Sequence, residues 1–330
     1  MKAIVCTEYG SPDVLQFKEV EKPVPGDDEV LIDVRAASVN AYDWHLLRGK
    51  PFLARLYAGL RKPKRTIPGA DIAGRVEAVG KDVKQFHPGD EVFGDVGWGG
   101  FAEYACAREK LLALKPANLT FEEAAALPMA SLTALQGLRD EGQIKPGQKV
   151  LINGAGGGVG TFAVQIAKYF GADVTAVCSA RNADMVRSLG ADRVIDYAQE
   201  DFTRSAQRYD LILAANGYHW IFDYKRALAP NGIYVMSGGT NGQIFQAMLL
   251  GPLASKRGNK KMTGVSASIS QKDLVVIREL VEAGKVRPVI DRRYPLHEVA
   301  DAIRYIEEGH ARGKVVITVQ HNNRTEQSQP

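Results

Sequence analysis

Residues 148–181 read QKVLINGAGGGVGTFAVQIAKYFGADVTAVCSAR, and the rest of the chain is organised around them. The apolar run 150–152 has the character of a buried strand. It empties into Gly154-Ala155-Gly156-Gly157-Gly158-Val159-Gly160, five glycines in seven residues. An amphipathic pattern then predicts a helix as far as Phe170, closed by Gly171 as a C-terminal glycine. A second apolar strand, 174–178, follows. A pyrophosphate approaches the backbone only where Cβ atoms are missing, and a helix N-terminus then offers unpaired N–H groups and a positive dipole end. The spacing G-x-G-x-x-G is met in a variant register, with Ala155 first, then Gly157 and Gly160. Glycines alone do not make a dinucleotide site; the strand–turn–helix–strand order around them does. Ala155, Gly156, Gly157, Gly158, Val159 and Gly160 are therefore the expected phosphate cradle.

The end of the second strand bears on the cofactor. NAD sites place an acidic residue about 20 positions beyond the glycines, on the ribose 2′-hydroxyl. Here the strand ends at Cys178-Ser179-Ala180-Arg181, Asp173 precedes it, and Asp184 lies in the next helix. A carboxylate repels a 2′-phosphate, whereas a serine hydroxyl and an arginine fork hold one. Ser179 and Arg181 thus favour NADPH over NADH. The competing reading of Arg181 is a solvated residue in the first turn of a helix.

Composition sets outer bounds. A chain of 330 residues has room for two cores, and 45% apolar with 24% charged residues is the balance of an ordinary globular protein. The net charge of +4 is too mild to argue for nucleic acid or membrane partners. Cys6, Cys106 and Cys178 are scattered, form neither a disulfide framework nor a metal-ligand cluster, and suit a cytoplasmic location. The opening MKAIVCTEYG has no signal-peptide core, and the polar stretch 321–330 reads as a disordered tail.

Residues 1–125 are β-rich, with short strands expected at 3–6, 17–20, 30–36, 74–79 and 91–93. Helical patterns appear at 120–127, with Thr120 as N-cap, and at 131–141. From Lys149 strands and helices alternate, with strands at 150–153, 174–178, 193–195, 211–214, 233–237 and 263–266. Six strands with crossover helices make a doubly wound parallel sheet. A helix at 273–283 and a last strand at 313–319, returning to the first half, complete the expectation. The basic run Arg61-Lys62-Pro63-Lys64-Arg65 is either a solvated loop or a patch for the phosphates of a partner or acyl carrier.

The whole pattern resembles the medium-chain dehydrogenase/reductase superfamily, and within it the zinc-free, quinone oxidoreductase-like branch. The resemblance rests on Ser38-Val39-Asn40-Ala41-Tyr42-Asp43, the segment from Gly69-Ala70-Asp71 to Val79-Gly80, Pro88-Gly89-Asp90-Glu91-Val92-Phe93-Gly94, Leu132-Thr133-Ala134, the glycine loop, and Leu189-Gly190-Ala191-Asp192 through Tyr197. It implies an α/β protein with a GroES-like β-rich catalytic domain, residues 1–125 and 268–330, and a Rossmann domain, 126–267, between them. Zinc-dependent relatives carry a Cys where this chain has Asn40 and a His where it has Ala70, and neither residue supplies a thiolate or an imidazole. No metal is therefore expected.

The resemblance further implies that Asn40, Tyr42 and Asp43 line the catalytic cleft at the start of the first helix. His45 falls where relatives carry a proton-relay histidine; the other reading is a ring packed beside Trp44. Thr133 is implied to lie behind the nicotinamide, and Tyr197 to flank the 2′-phosphate. Asn216-Gly217, Ser237, Gly238 and Gly239 are expected along the cofactor crevice. The leading expectation is an NADPH-dependent reductase acting on a quinone or an activated enone. An enoyl-thioester reductase and a non-catalytic NADPH-binding sensor or RNA-binding protein stand as alternatives. The specificity loops are read at 50–66 and 241–259. A homodimer is expected, because residues 233–237 and 263–266 are apolar strands read as lying at a sheet edge.

Overall fold

The structure is a computed structural model that describes residues 1–320 apart from positions 51, 53, 240, 257 and 258. The tail at 321–330 lies outside the described residues. The amino-terminal part runs β1 (Lys2–Val5), β2 (Gln16–Glu19), β3 (Glu29–Val39), α1 (Ala41–Arg48), α2 (Ala54–Ala58), β4 (Asp71–Val79), β5 (Glu91–Asp95), β6 (Tyr104–Arg108), β7 (Leu112–Leu114), α3 (Phe121–Ala125) and α4 (Pro128–Gln136). There follow β8 (Lys149–Asn153), α5 (Gly158–Tyr169), β9 (Asp173–Cys178), α6 (Ala183–Ser188), β10 (Arg193–Asp196), β11 (Tyr209–Ala214), α7 (Ile221–Ala227), β12 (Leu228–Met236), α8 (Asn241–Lys256) and β13 (Lys261–Gly264). The chain closes with α9 (Gln271–Glu282), β14 (Ile290–Pro295), α10 (Val299–Glu307) and β15 (Lys314–Thr318).

Strands β8 to β13 form one six-stranded sheet in the order β10-β9-β8-β11-β12-β13, every neighbour parallel. The order reverses between β8 and β11, so the crevice beyond their carboxyl ends is the place where such sheets bind ligands. Helices cover both faces, which is why the strands read as unbroken apolar runs. Val150 and Ile152 of β8 pack on one side with Phe162 and Ile166 of α5, while Leu151 faces the other side with Ile212, Tyr224 and Tyr234. That split follows from the two-residue period of a strand. Each such side chain contributes about 1.5–3 kcal/mol by leaving water.

The second sheet runs β14-β15-β3-β4-β5-β7, with β6 also paired to β3. The last strand, β15, lies antiparallel to β3, with Val316 opposite Ser38. Its core holds Ile32, Val34, Ile72, Val92, Val315 and Ile317. As the sequence predicts, Thr120 caps α3: its hydroxyl accepts the Glu123 N–H at 3.2 Å, and the Glu123 carboxylate accepts the Thr120 N–H at 2.9 Å. The pattern at 131–141 resolves into α4 followed by a π-helical turn, Gly137–Glu141.

Several expectations change. Strands β6, β7 and β14 and helix α10 carry no clear signal in the sequence reading. β14 is a sheet edge paired only to β15, so its exposed arginines never had to be apolar. The stretch 241–259, read as a specificity loop, is largely the helix α8. β12 pairs on both sides, so of the two strands read as lying at the sheet edge only β13 lies there.

Candidate active site

The turn between β8 and α5 is built by glycines with separate tasks. Gly154 takes φ +83°, and a Cβ there would lie 2.7 Å from the Asn216 nitrogen. It makes the tight turn that the Ala155 position makes in the usual register. A Cβ on Gly160 would stand 2.1 Å from the Gly154 carbonyl oxygen and 2.7 Å from Ala155 Cα, so helix and turn touch only because it is absent. Gly157 differs. It sits at φ −90°, ψ −178° as the N-cap of α5, and a Cβ there would meet only the Gly154 oxygen, at 3.6 Å. The protein does not use the space beside Gly157, and that space opens at a helix N-terminus. A dinucleotide phosphate fits both features.

Around this turn the structure gathers the residues at the strand ends. Asp196 of β10 pairs with Cys178 of β9, which sets Tyr197 beside Ser179. Tyr197 is 61% exposed, and Ser179 is half-buried as the N-cap of a short 3-10 turn, Ala180–Asn182. The Arg181 guanidinium donates to the His310 carbonyl, so a loop following α10 borders the same crevice. Asp184 is turned to Arg187, 2.8 Å away, and supplies no carboxylate at the β9 end. Asn216 donates its N–H to Asn153 O at 3.2 Å, and the Ser237 hydroxyl points to Ala214 O at 3.3 Å. A Cβ on Gly238 would lie 2.6 Å from Ala215 O, and Gly239 takes φ +125°. These turns need glycine for their own packing. Sequence reading overlooked Asn182. Its side chain is 7% exposed and lies against Gly156, and its amide oxygen has no hydrogen-bond partner.

A second cleft is lined by Tyr42, Asp43, Leu46, Leu47, Pro68 and Trp98 among others. Tyr42 and Asp43 stand side by side in its wall. Asn40 does not face it freely. Its Nδ2 donates to Asp71 Oδ2 at 2.9 Å, its Oδ1 accepts from Lys314 Nζ, and its backbone N–H donates to Asp43 Oδ2 at 2.7 Å. Asp71 also accepts from the Ser38 hydroxyl at 3.1 Å and from the Met129 N–H at 3.1 Å. Thr133, one turn further along α4, is buried and donates its hydroxyl to Met129 O at 2.6 Å. His45 is not among the residues lining this cleft. Its ring stacks on Trp44 with centroids 3.7 Å apart, and Nδ1 lies 3.1 Å from the Lys50 carbonyl. Burial lowers its pKa, and with Nδ1–H donating to that carbonyl the neutral ring has only an acceptor at Nε2. Among the described residues, no cluster of three or more His, Cys, Asp or Glu side chains is arranged to hold a metal ion. Ala70 is fully buried.

Asp71 and Asp43 flank the buried ammonium of Lys314, and a third buried carboxyl, Asp95, lies near Asp71. Burial pushes Asp71 up and Lys314 down, each opposed by the other's charge. Asp43 is pushed up to about 7 by burial, partly offset by the Asn40 N–H. Asp95, 6% exposed, also reaches about 7 through burial and the nearby Asp71. Asp95 and Lys314 were missed from sequence, although a charged residue inside an apolar strand run is the available signal. The folded protein holds the Asp43 and Asp95 protons more tightly than the unfolded chain, whose carboxyls titrate near 3.8. Their stabilisation is thus complete at low pH and is lost as pH rises from about 4 to 7. Asp95→Asn keeps an acceptor for the Gly97 N–H, 2.6 Å from Oδ1, and removes the titration. Urea unfolding should show the variant gaining on the wild type by up to about 1.4 kcal/mol per pH unit across that window. A difference constant with pH would contradict the shift.

Residues 26–117 match the alcohol dehydrogenase GroES-like domain, and residues 189–317 match the zinc-binding dehydrogenase family. The chloroplastic quinone-oxidoreductase of Triphysaria versicolor is 36% identical over 334 residues, spanning 96% of this chain and 98% of that one. The chloroplastic NADPH-dependent alkenal/one oxidoreductase of Arabidopsis thaliana is 35% identical over 332 residues, spanning 96% and 79%. The solved quinone oxidoreductase from Coxiella burnetii superposes with a TM-score of 0.86 at 33% identity, covering 97% of this chain and 99% of that one. No described helix is long and apolar enough to cross a membrane.

Proposed function

Because the chain belongs to the zinc-free, quinone oxidoreductase-like branch of the medium-chain dehydrogenase/reductase superfamily, we propose that it is an NADPH-dependent reductase of quinones or α,β-unsaturated carbonyls. The observation that carries the cofactor half is the strand end of β9, where Ser179, Arg181 and Tyr197 gather and Asp184 turns away to Arg187. The open space at Gly157 and the unpaired Asn182 amide add a phosphate seat and a spare acceptor beside it. Reduced nicotinamide, when bound, supplies the hydride. Asn40 and Ala70 offer no metal ligation, which favours acceptors whose developing charge is spread by conjugation. The apolar walls Leu46, Leu47 and Pro68 exclude water, and Trp98 and Tyr42 give a flat conjugated substrate two aromatic neighbours. Asp43 sits in the same wall with a proton near neutrality and is the better proton source than His45.

One observation favours a second substrate class. Lys64 and Arg65 of the basic run are exposed and border a neighbouring pocket that shares Trp98 with the substrate cleft. That is a reasonable seat for the phosphates of an acyl thioester. Stopped-flow oxidation of NADPH should be tested with 1,4-benzoquinone, methyl vinyl ketone and crotonyl-CoA. Quinone or enone turnover is expected, along with a blue-shifted NADPH emission on binding. Neutralising Arg61, Lys62, Lys64 and Arg65 raises KM by about tenfold for the thioester alone if those side chains grip its phosphates. Binding without any turnover would instead favour the non-catalytic sensor.

A further inference from the structure

We propose that Lys314 is a positioning residue that ties the glycine loop to the substrate cleft, so that filling the dinucleotide crevice orders the Asn40 turn and the amino end of α4. This deepens the reading above, that a nicotinamide dinucleotide lies on the glycine loop. Lys314 starts β15, far from that loop in sequence, yet its stem is part of the loop's wall. Gly313 donates its N–H to Gly156 O at 2.9 Å and bridges to Gly157, and a Cβ on Gly158 would stand 3.1 Å from Lys314 Cδ. From there the side chain carries its ammonium, 3% exposed, into the catalytic side of the molecule. It donates to Val39 O at 3.2 Å and to Asn40 Oδ1, and Asp71 Oδ2 lies 3.8 Å away.

The chain of contacts continues through Asp71. Helix α4 has no side-chain cap of its own, and Leu127 at its N-cap position cannot supply one. Asp71 Oδ1 takes the Met129 N–H instead, which makes a residue of β4 the cap of the helix that carries Thr133. The contacts therefore run unbroken from loop to ammonium, to the Asn40 amide and the Asp71 carboxylate, and on to the first turn of α4. An apolar pair would fill this volume at lower desolvation cost. What the ammonium adds is direction, because it fixes which way the Asn40 amide faces and keeps Asp71 an acceptor.

The test uses the full chain with Lys314→Met and with the double variant Asp71→Asn/Lys314→Met, which removes both charges of the Asp71–Lys314 pair together in case the single variant does not fold. NADPH affinity is read by fluorescence, hydrogen exchange is followed over residues 129–133 with and without saturating NADPH, and kcat and KM are measured with 1,4-benzoquinone. In the wild type NADPH should slow that exchange by about tenfold or more. In the double variant NADPH should bind within about fivefold of wild type while the added protection disappears. There kcat should fall about thirtyfold with KM within about threefold. Protection retained in the double variant, or kcat recovered to within about threefold, overturns the positioning role alone. Failure of the wild type to bind NADPH overturns the cofactor reading and this one together.

Discussion

Gly157→Val should abolish dinucleotide binding in a protein that stays folded, whereas Gly160→Ala should lose the fold of the loop itself. The two glycines are neighbours in one motif but face different things. At Gly157 the backbone is extended, which any residue adopts, and a Cβ meets nothing nearer than 3.6 Å. A valine there gives up at most about 1–2 kcal/mol as a poorer helix cap. Its methyl groups would enter the space beside the N–H groups of α5, so NADPH affinity should fall by about three orders of magnitude, about 4 kcal/mol. At Gly160 an added Cβ would be 2.1 Å from the Gly154 oxygen, and backbone must move. That overpacking should cost about 3 kcal/mol or more. Urea unfolding and NADPH fluorescence titration on both variants separate the cases. A Gly157→Val protein that binds NADPH like the wild type would move the phosphate seat elsewhere. A Gly160→Ala protein as stable as the wild type would refute the close contact.

Ser179→Asp combined with Arg181→Ala should invert the cofactor preference. Arg181→Ala alone removes one charge-assisted contact, worth about 1.5–3 kcal/mol, and should weaken NADPH by about one to two orders of magnitude while NADH barely changes. The aspartate then repels the 2′-phosphate and accepts the 2′-hydroxyl of NADH. Ser179 is an N-cap with extended backbone, where aspartate is as well suited as serine, so the substitution carries little structural penalty. Together the changes should shift the NADPH-to-NADH preference by about a thousandfold. Tyr197→Phe should do less, because the ring remains and the side chain is 61% exposed. Equal losses for both cofactors in Arg181→Ala would mean that its bond to the His310 carbonyl holds the loop and reads no phosphate. A wild type that already prefers NADH would mean that the missing acid at the β9 end carries no weight.

What sequence alone determined is local. The turn after β8 needs backbone without side chains, and its glycines state that need within seven residues. Strands buried on both faces must be apolar throughout, so β8, β9 and β11 announce themselves. The absence of an acid after β9 is likewise a statement about four consecutive positions. Edge strands such as β14 bury little and left little trace. The fold lays the His45 ring on Trp44 and its Nδ1 against Lys50 O, contacts that no spacing in the chain records. The network of Asn40, Asp71 and Lys314 was beyond any local pattern. A buried charge is tolerable only beside its partner, and the partners here are supplied by β4 and β15, brought together because β15 pairs with β3 and β3 with β4. Sheet pairing between distant segments decided which charges meet, and no spacing in the chain records it.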